Sequence, residues 1–185
     1  RRVLFRSGGN LIDTADCYAA GKSEELVGQI IAETGNRDQI FLATKAVVVD
    51  PPRKYDASAL HLNSAINSSL NRLGVDHIDL WQMHRWDSLT PLEETLMAIE
   101  NNYRLGKYRY LGISNYSSWQ TALIINECKN LRIPIVSAQH EYSLVERGVE
   151  KDLIPLLINQ KKSLLPWSPL GRGVLTGKYR FGTPV

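Results

Sequence analysis

At 185 residues the chain is long enough for one domain with a sizeable core. Its composition, 43% apolar and 22% charged, is that of a globular protein, and a net charge of +3 with no basic cluster or nucleic-acid motif argues against a nucleic-acid partner. No apolar run approaches the roughly 20 residues needed to cross a bilayer and none reads as a secretory signal, so no membrane insertion and a cytoplasmic location are expected.

In chain order, RRVLFRS does not match the rest in character, and residues 1–7 are read as a non-native tail outside the fold. Residues 8–185 are read as one partial domain, and the final GTPV, with no helix after it, as a truncated end. A strand is expected over Asn10–Ala15. Next comes a helix capped by Ser23, with Glu24 and Glu25 in its first turn, Leu26, Val27, Ile30 and Ile31 as its apolar stripe and Gly35 as its stop. The second strand, Ile40–Lys45, precedes a helix from about Ser58 that carries Leu62, Ile66, Leu70 and Leu73 and ends at Gly74. Strand Ile78–His84 leads to a helix starting at Thr90, with Pro91 at its first position and Glu93 completing a capping box. Strand Tyr108–Ser114 is followed by a second capping-box pattern, Ser117 and Gln120, before a helix through Cys128. Strand Ile133–Gln139, a helix near Lys151–Gln160 burying Leu153, Leu156 and Leu157, and strand Ser163–Ser168 complete the pattern.

Strand and helix alternating in this way mean parallel strands joined by crossovers. Periodicity is compatible with a (β/α)₈ barrel lacking its ends and with an open doubly wound sheet. Phosphate-loop patterns fail: Arg172 stands where GxxxxGK needs glycine before Gly177, and Tyr179 replaces the required Ser or Thr. The GKS at Gly21 has Asp16 at its glycine position. Cys17 and Cys128 are at neither CxxC nor metal-ligand spacing, so free thiols, a reducing compartment and no metal site are expected.

The chemistry gathers at strand ends. Asp13, Tyr18, Lys45 and His84 each lie at or just past the C-terminal end of an expected strand, and in a parallel α/β sheet those ends share one rim. Singly, Asp13 reads as a turn residue, Tyr18 as packing, Lys45 as a surface ammonium and His84 as a core imidazole. Together they form a proton-donating site suited to carbonyl reduction, in which Lys45 lowers the pKa of the Tyr18 phenol, Asp13 steadies Lys45, and His84 orients the carbonyl. His61, His77, His140 and the Asp76–Asp79 pair are read as structural.

Several blocks, NLIDTADCYAAGKSEELVG, IFLATK, SLNRLGVDHIDLWQMHRWD, TPLEETLMAI, LGKYRYLGISNYSSWQ, SAQHEYSLVER and LPWSPLGRGVLTGKY, run from Asn10 to Tyr179 and resemble the aldo-keto reductase superfamily. The likeness is to the branch of bacterial general reductases and potassium-channel β-subunits. It implies a (β/α)₈ TIM barrel, here incomplete, with NADPH lying across the C-terminal rim. By position Asp13, Tyr18, Lys45 and His84 match the catalytic tetrad. Ser114, Asn115 and Gln139 match ligands of the nicotinamide amide, and Trp167 the aromatic stacked on it. Ser168, Leu170, Gly173 and Lys178 match the segment around the pyrophosphate. The implied function is NADPH-dependent reduction of a small aldehyde or ketone with Tyr18 as proton donor. The alternative is a cofactor-binding, redox-responsive subunit, and a homo-oligomer is compatible with either. The family's first strand, its last βα units and its 2′-phosphate clamp have no counterpart here, so exposed apolar edges are expected.

Overall fold

A computed structural model describes residues 8–179; the tail expected over residues 1–7 lies outside the described residues, as does the truncated end expected at GTPV. Six parallel strands, β1 (Leu11–Asp13), β2 (Phe41–Ala46), β3 (Ile78–Met83), β4 (Tyr108–Ser114), β5 (Ile135–Glu141) and β6 (Ser163–Trp167), pair in strict chain order. A doubly wound sheet would reverse its order at a switch point. This one does not, and it curls into a half-barrel, six βα units of the incomplete (β/α)₈ barrel. Helices α1 (Lys22–Thr34), α2 (Ala59–Leu73), α3 (Leu92–Arg104), α4 (Ser118–Asn130) and α5 (Leu153–Asn159) fill the five crossovers.

Strand ends depart from expectation where the ladder is interrupted. β5 starts at Ile135 rather than Ile133 because Pro134 has no N–H to donate, and the register slips opposite it between Leu111 and Gly112. Beyond β1 the chain still bonds to β2, Thr14 N–H to Ala43 O at 2.9 Å and Asp16 N–H to Lys45 O at 3.0 Å.

Caps were set by local chemistry only where no distant partner competed. Ser117 and Gln120 form the expected reciprocal box on α4, and Ser58 caps α2. Ser23 is not a cap: α1 follows Gly21 at φ +88°, and the Ser23 hydroxyl pairs with Thr14 Oγ1 at 2.8 Å. Nor does Thr90 open a capping box. Its hydroxyl donates to Asp87 at 2.6 Å, and α3 begins at Leu92 without a side-chain cap. Glu94 instead accepts the Ala59 N–H at 2.9 Å, so α3 satisfies the free amide end of α2.

The two faces of the sheet differ in kind. Leu42, Trp81, Met83, Leu111, Ile113 and Ala138 belong to the apolar core, with Ile66, Ile99 and Ile124 from the helices. The opposite face is polar: Lys45 is in register with Gln82, Gln82 with Gly112, and Gly112 with Ser137. A side chain at Gly112 would put its Cβ 2.9 Å from Gln82 Cγ, so the glycine makes room for that amide.

The first βα unit is pinned to the second by backbone contact and by a buried ion pair. A Cβ on Gly28 would lie 2.6 Å from Arg72 O and 2.7 Å from Leu73 O, so α1 and α2 touch main chain to main chain there. Glu24, read as a first-turn acid favoured by the helix dipole, is fully buried. It accepts from Thr44 Oγ1 at 2.5 Å and from Arg72 Nε at 2.7 Å, joining α1, β2 and α2. Burial, reinforced by the Glu24 charge, pushes nearby Asp16 up to about 7.

Gly28→Ala is expected to lower unfolding stability by about 1–3 kcal/mol, because backbone must move to admit the methyl group; an unchanged urea midpoint would contradict the close approach. For Asp16, a folded pKa of about 7 against an ordinary 3.8 means that its contribution to stability is complete below about pH 4 and lost as pH rises through 7. Asp16→Asn should therefore raise the urea midpoint at pH 8 and leave it nearly unchanged at pH 4, and the opposite ordering would refute the buried carboxyl.

Candidate active site

The C-terminal strand ends bring the expected residues onto one rim. Asp13 closes β1, Lys45 lies one residue from the end of β2, His84 follows β3, Ser114 and Asn115 close β4, Gln139 lies in β5, and Trp167 and Ser168 end β6. At the centre is the Asp13 carboxylate. Its Oδ2 accepts from Lys45 Nζ at 2.6 Å and Gln139 Nε2 at 3.1 Å, and its Oδ1 from Gln82 Nε2 at 2.8 Å. The Lys45 ammonium, wholly buried, also donates to Thr14 O at 2.8 Å. A buried ammonium is costly unless paired and hydrogen-bonded, and both conditions are met.

Tyr18 begins a short 3-10 turn, Tyr18–Gly21, in which Ala19 and Ala20 take left-handed φ of 50° and 54°. Lys45 Nζ lies 5.1 Å from the centroid of its ring. The His84 ring meets it edge-on at 5.8 Å, and His84 Nδ1 is 3.8 Å from Cys17 Sγ. Asp13, Tyr18, Lys45 and His84 thus cluster at the C-terminal ends of β1, β2 and β3.

The electrostatics correct one expectation. Tyr18 was to have its pKa lowered by Lys45, yet burial, then the Asp13 charge, hold the phenol above its ordinary value. Lys45 faces the ring rather than the hydroxyl, and its charge is balanced by Asp13; the cation that works in the lowering direction is Arg85. His84 moves the opposite way, down to about 4, through burial first and then the charges of Lys45 and Arg85. At neutral pH the pair is therefore a protonated phenol beside a neutral imidazole.

A second group lies toward β6. Asn115, at φ +60°, donates through Nδ2 to Ser114 Oγ at 2.8 Å and His84 O at 3.3 Å, and its Oδ1 accepts from Trp167 Nε1 at 3.1 Å. The indole of Trp167 is thereby fixed at the rim. Ser114 still has its hydroxyl proton to give, and Gln139, whose amide nitrogen is used on Asp13, has its carbonyl oxygen free among the described residues. One donor and one acceptor beside a fixed aromatic suit a nicotinamide carboxamide. After Trp167, Ser168, Gly171, Arg172 and Gly173 all take positive φ. The tight path lets Lys178 lie close: a Cβ on Gly173 would be 3.0 Å from Lys178 Cε. Arg172 and Lys178 form no ion pair among the described residues, so this segment suits a diphosphate, while Leu170 is exposed beside it. Leu170, Gly173 and Lys178 make no hydrogen bond to the Asp13 cluster.

Gln82 was missed. Its signal is a lone amide inside IDLWQM, two residues before His84 and so on the same face of β3. Tyr142 donates to Glu150 at 2.8 Å, while Trp86 packs on Tyr116 and Trp119. Cys17 and Cys128 are free thiols, as expected.

The family model described as "Aldo/keto reductase family" matches residues 1–185. The chain is 39% identical to "Aldo-keto reductase YhdN" of Bacillus subtilis over 184 residues, 96% of this chain and 53% of the relative. It is 34% identical to "L-glyceraldehyde 3-phosphate reductase" of Escherichia coli, covering 99% of this chain and 55% of the relative. Against the "Probable voltage-gated potassium channel subunit beta" of Arabidopsis thaliana the identity is 38%, covering 95% of this chain and 55% of the relative. The chain spans about half the length of these relatives. With six parallel strands in barrel order, a polar cluster at their C-terminal ends and the family model matching throughout, the chain belongs to the aldo-keto reductase family.

Proposed function

We propose that this chain carries the catalytic part of an NADPH-dependent reductase that converts aldehydes or ketones to alcohols, with Tyr18 giving the proton. The observation that supports this most is the Asp13–Lys45 pair set beneath the Tyr18 ring, with neutral His84 beside it. When bound, NADPH supplies the hydride; Trp167, Ser114, Asn115 and Gln139 are the residues proposed to hold its nicotinamide, and Ser168, Leu170, Gly173 and Lys178 its diphosphate. The 2′-phosphate preference rests on the family likeness alone.

The chain's own residues then divide the work. His84, neutral above about pH 4, donates a hydrogen bond to the substrate oxygen and orients it, but has no labile charge to give. Tyr18 is the acid of the pair, its phenol kept protonated through neutral pH by burial and by Asp13. A high phenol pKa does not block the step, because the alkoxide formed on the substrate is far more basic than a phenolate. Lys45 packs against the Tyr18 ring and holds it in place for the transfer, and Asp13, fixed by Gln82 and Gln139, holds Lys45 there.

The relative named as a potassium-channel subunit supports a second reading, a cofactor-binding subunit that responds to redox state. Turnover separates the two. With a panel of aldehydes, the complete protein is expected to oxidise NADPH steadily, and Tyr18→Phe to lower kcat by about 10²–10⁴-fold with cofactor affinity nearly unchanged. Tight NADPH binding with no aldehyde-dependent oxidation would favour the subunit, and a Tyr18→Phe protein of full activity would remove Tyr18 from its role.

A further inference from the structure

Arg85 is the feature of the rim that the proposed chemistry does not use. Among the described arginines, Arg37, Arg53, Arg72, Arg104 and Arg147 have carboxylate partners, and Arg109, Arg132 and Arg172 are exposed. Arg85 alone is partly buried yet forms no hydrogen bond or ion pair with any described residue. A guanidinium held away from water normally has a carboxylate or phosphate against it, because its planar fork of donors matches those groups two bonds at a time.

Its position says what such a partner would be. Arg85 follows His84 directly and lines a cleft of about 450 Å³ together with Asn115, His140, Glu141, Glu146 and Trp167. The cleft thus takes in two of the proposed nicotinamide residues, Asn115 and Trp167, and Arg85 joins it directly after His84. Its two carboxylates do not pair with Arg85: Glu146 turns its Oε1 to the Gly148 N–H at 3.1 Å, and Glu141 forms no ion pair among the described residues. The charge of Arg85 also acts, as a lesser cause behind burial, on Tyr18, His84 and His140.

We infer that Arg85 is a specificity-determining residue that selects carbonyl substrates bearing an anionic group, a carboxylate or a phosphate, a short chain away from the aldehyde. The inference rests on the reductase reading. Arg85 holds the far end of the substrate from the position next to His84, so it acts on binding and orientation rather than on proton transfer.

The test compares matched substrates on the complete, NADPH-loaded protein: 4-carboxybenzaldehyde against benzaldehyde, and glyceraldehyde 3-phosphate against glyceraldehyde. In Arg85→Gln the ratio of kcat/KM for the anionic over the neutral member is expected to fall about 10- to 100-fold, carried by KM, with Arg85→Lys recovering part of it. The pair that shows the fall tells whether the anion is a carboxylate or a phosphate. An unchanged ratio in both pairs overturns the inference. So does an equal loss for both members accompanied by weaker NADPH binding, which would make Arg85 a cofactor residue. If no aldehyde is turned over, it is the reductase reading that fails, and binding decides the role of Arg85. A preference of the NADP-loaded protein for 4-carboxybenzyl alcohol over benzyl alcohol, lost in Arg85→Gln, supports it; equal binding of the two alcohols by the unmodified protein overturns it.

Discussion

The rim is organised around one carboxylate. Asp13 accepts a buried ammonium at 2.6 Å and two side-chain amides from β3 and β5, so four strands meet at its two oxygens. Remove that charge and Lys45, with no exposed atoms, is left with a single carbonyl partner. A buried cation in that state either loses its proton or disrupts its surroundings. The same carboxylate adds to burial, the larger cause, in raising the Tyr18 phenol, so it acts both on the cation beneath the ring and on the proton upon it.

That arrangement is possible because the two faces of the sheet differ in character. The outward face is mainly hydrocarbon and packs on the helices, with Thr44 bonded to Glu24 as an exception, while the inward one carries Lys45, Gln82, Ser114, Ser137 and Gln139. Polar side chains can occupy that face because they satisfy one another and because Gly112 leaves space for Gln82. The Glu24–Arg72 pair, on the outward side, locks the loop before α1, which carries Tyr18, to the second βα unit. Burying that pair contributes little net stability, but removing either partner alone would strand the other.

Much of this could be read from residues alone, for identifiable reasons. Six β-branched runs gave the strands, and a polar residue at the end of each marked the rim. Periodicity left barrel and doubly wound sheets equally open; the family likeness pointed to the barrel, and the unbroken order β1 to β6 decided it. What escaped depended on distant partners. Glu24 reads only as a helix-start acid, since its guanidinium partner is 48 residues away. Ser23 and Thr90 looked like caps, but Thr14 and Asp87 claimed their hydroxyls. Gln82 passed as an outlier in an apolar strand. The direction of the Tyr18 shift was legible least of all. Asp, Lys and Tyr in one pocket are compatible with either sign, and only their placement, ammonium on the ring face and carboxylate against the ammonium, settles it.

The central claim is that the Asp13 charge, added to burial, holds the Tyr18 phenol above its ordinary value. The most direct measurement is an NMR titration of the ¹³Cζ-labelled Tyr18 ring in the cofactor-free protein and in Asp13→Asn. The account predicts a midpoint above the ordinary phenol value of 10 in the unmodified chain and a downward shift once the carboxylate is neutralised. A midpoint below 10 in the unmodified chain, or an upward shift in Asp13→Asn, would contradict it.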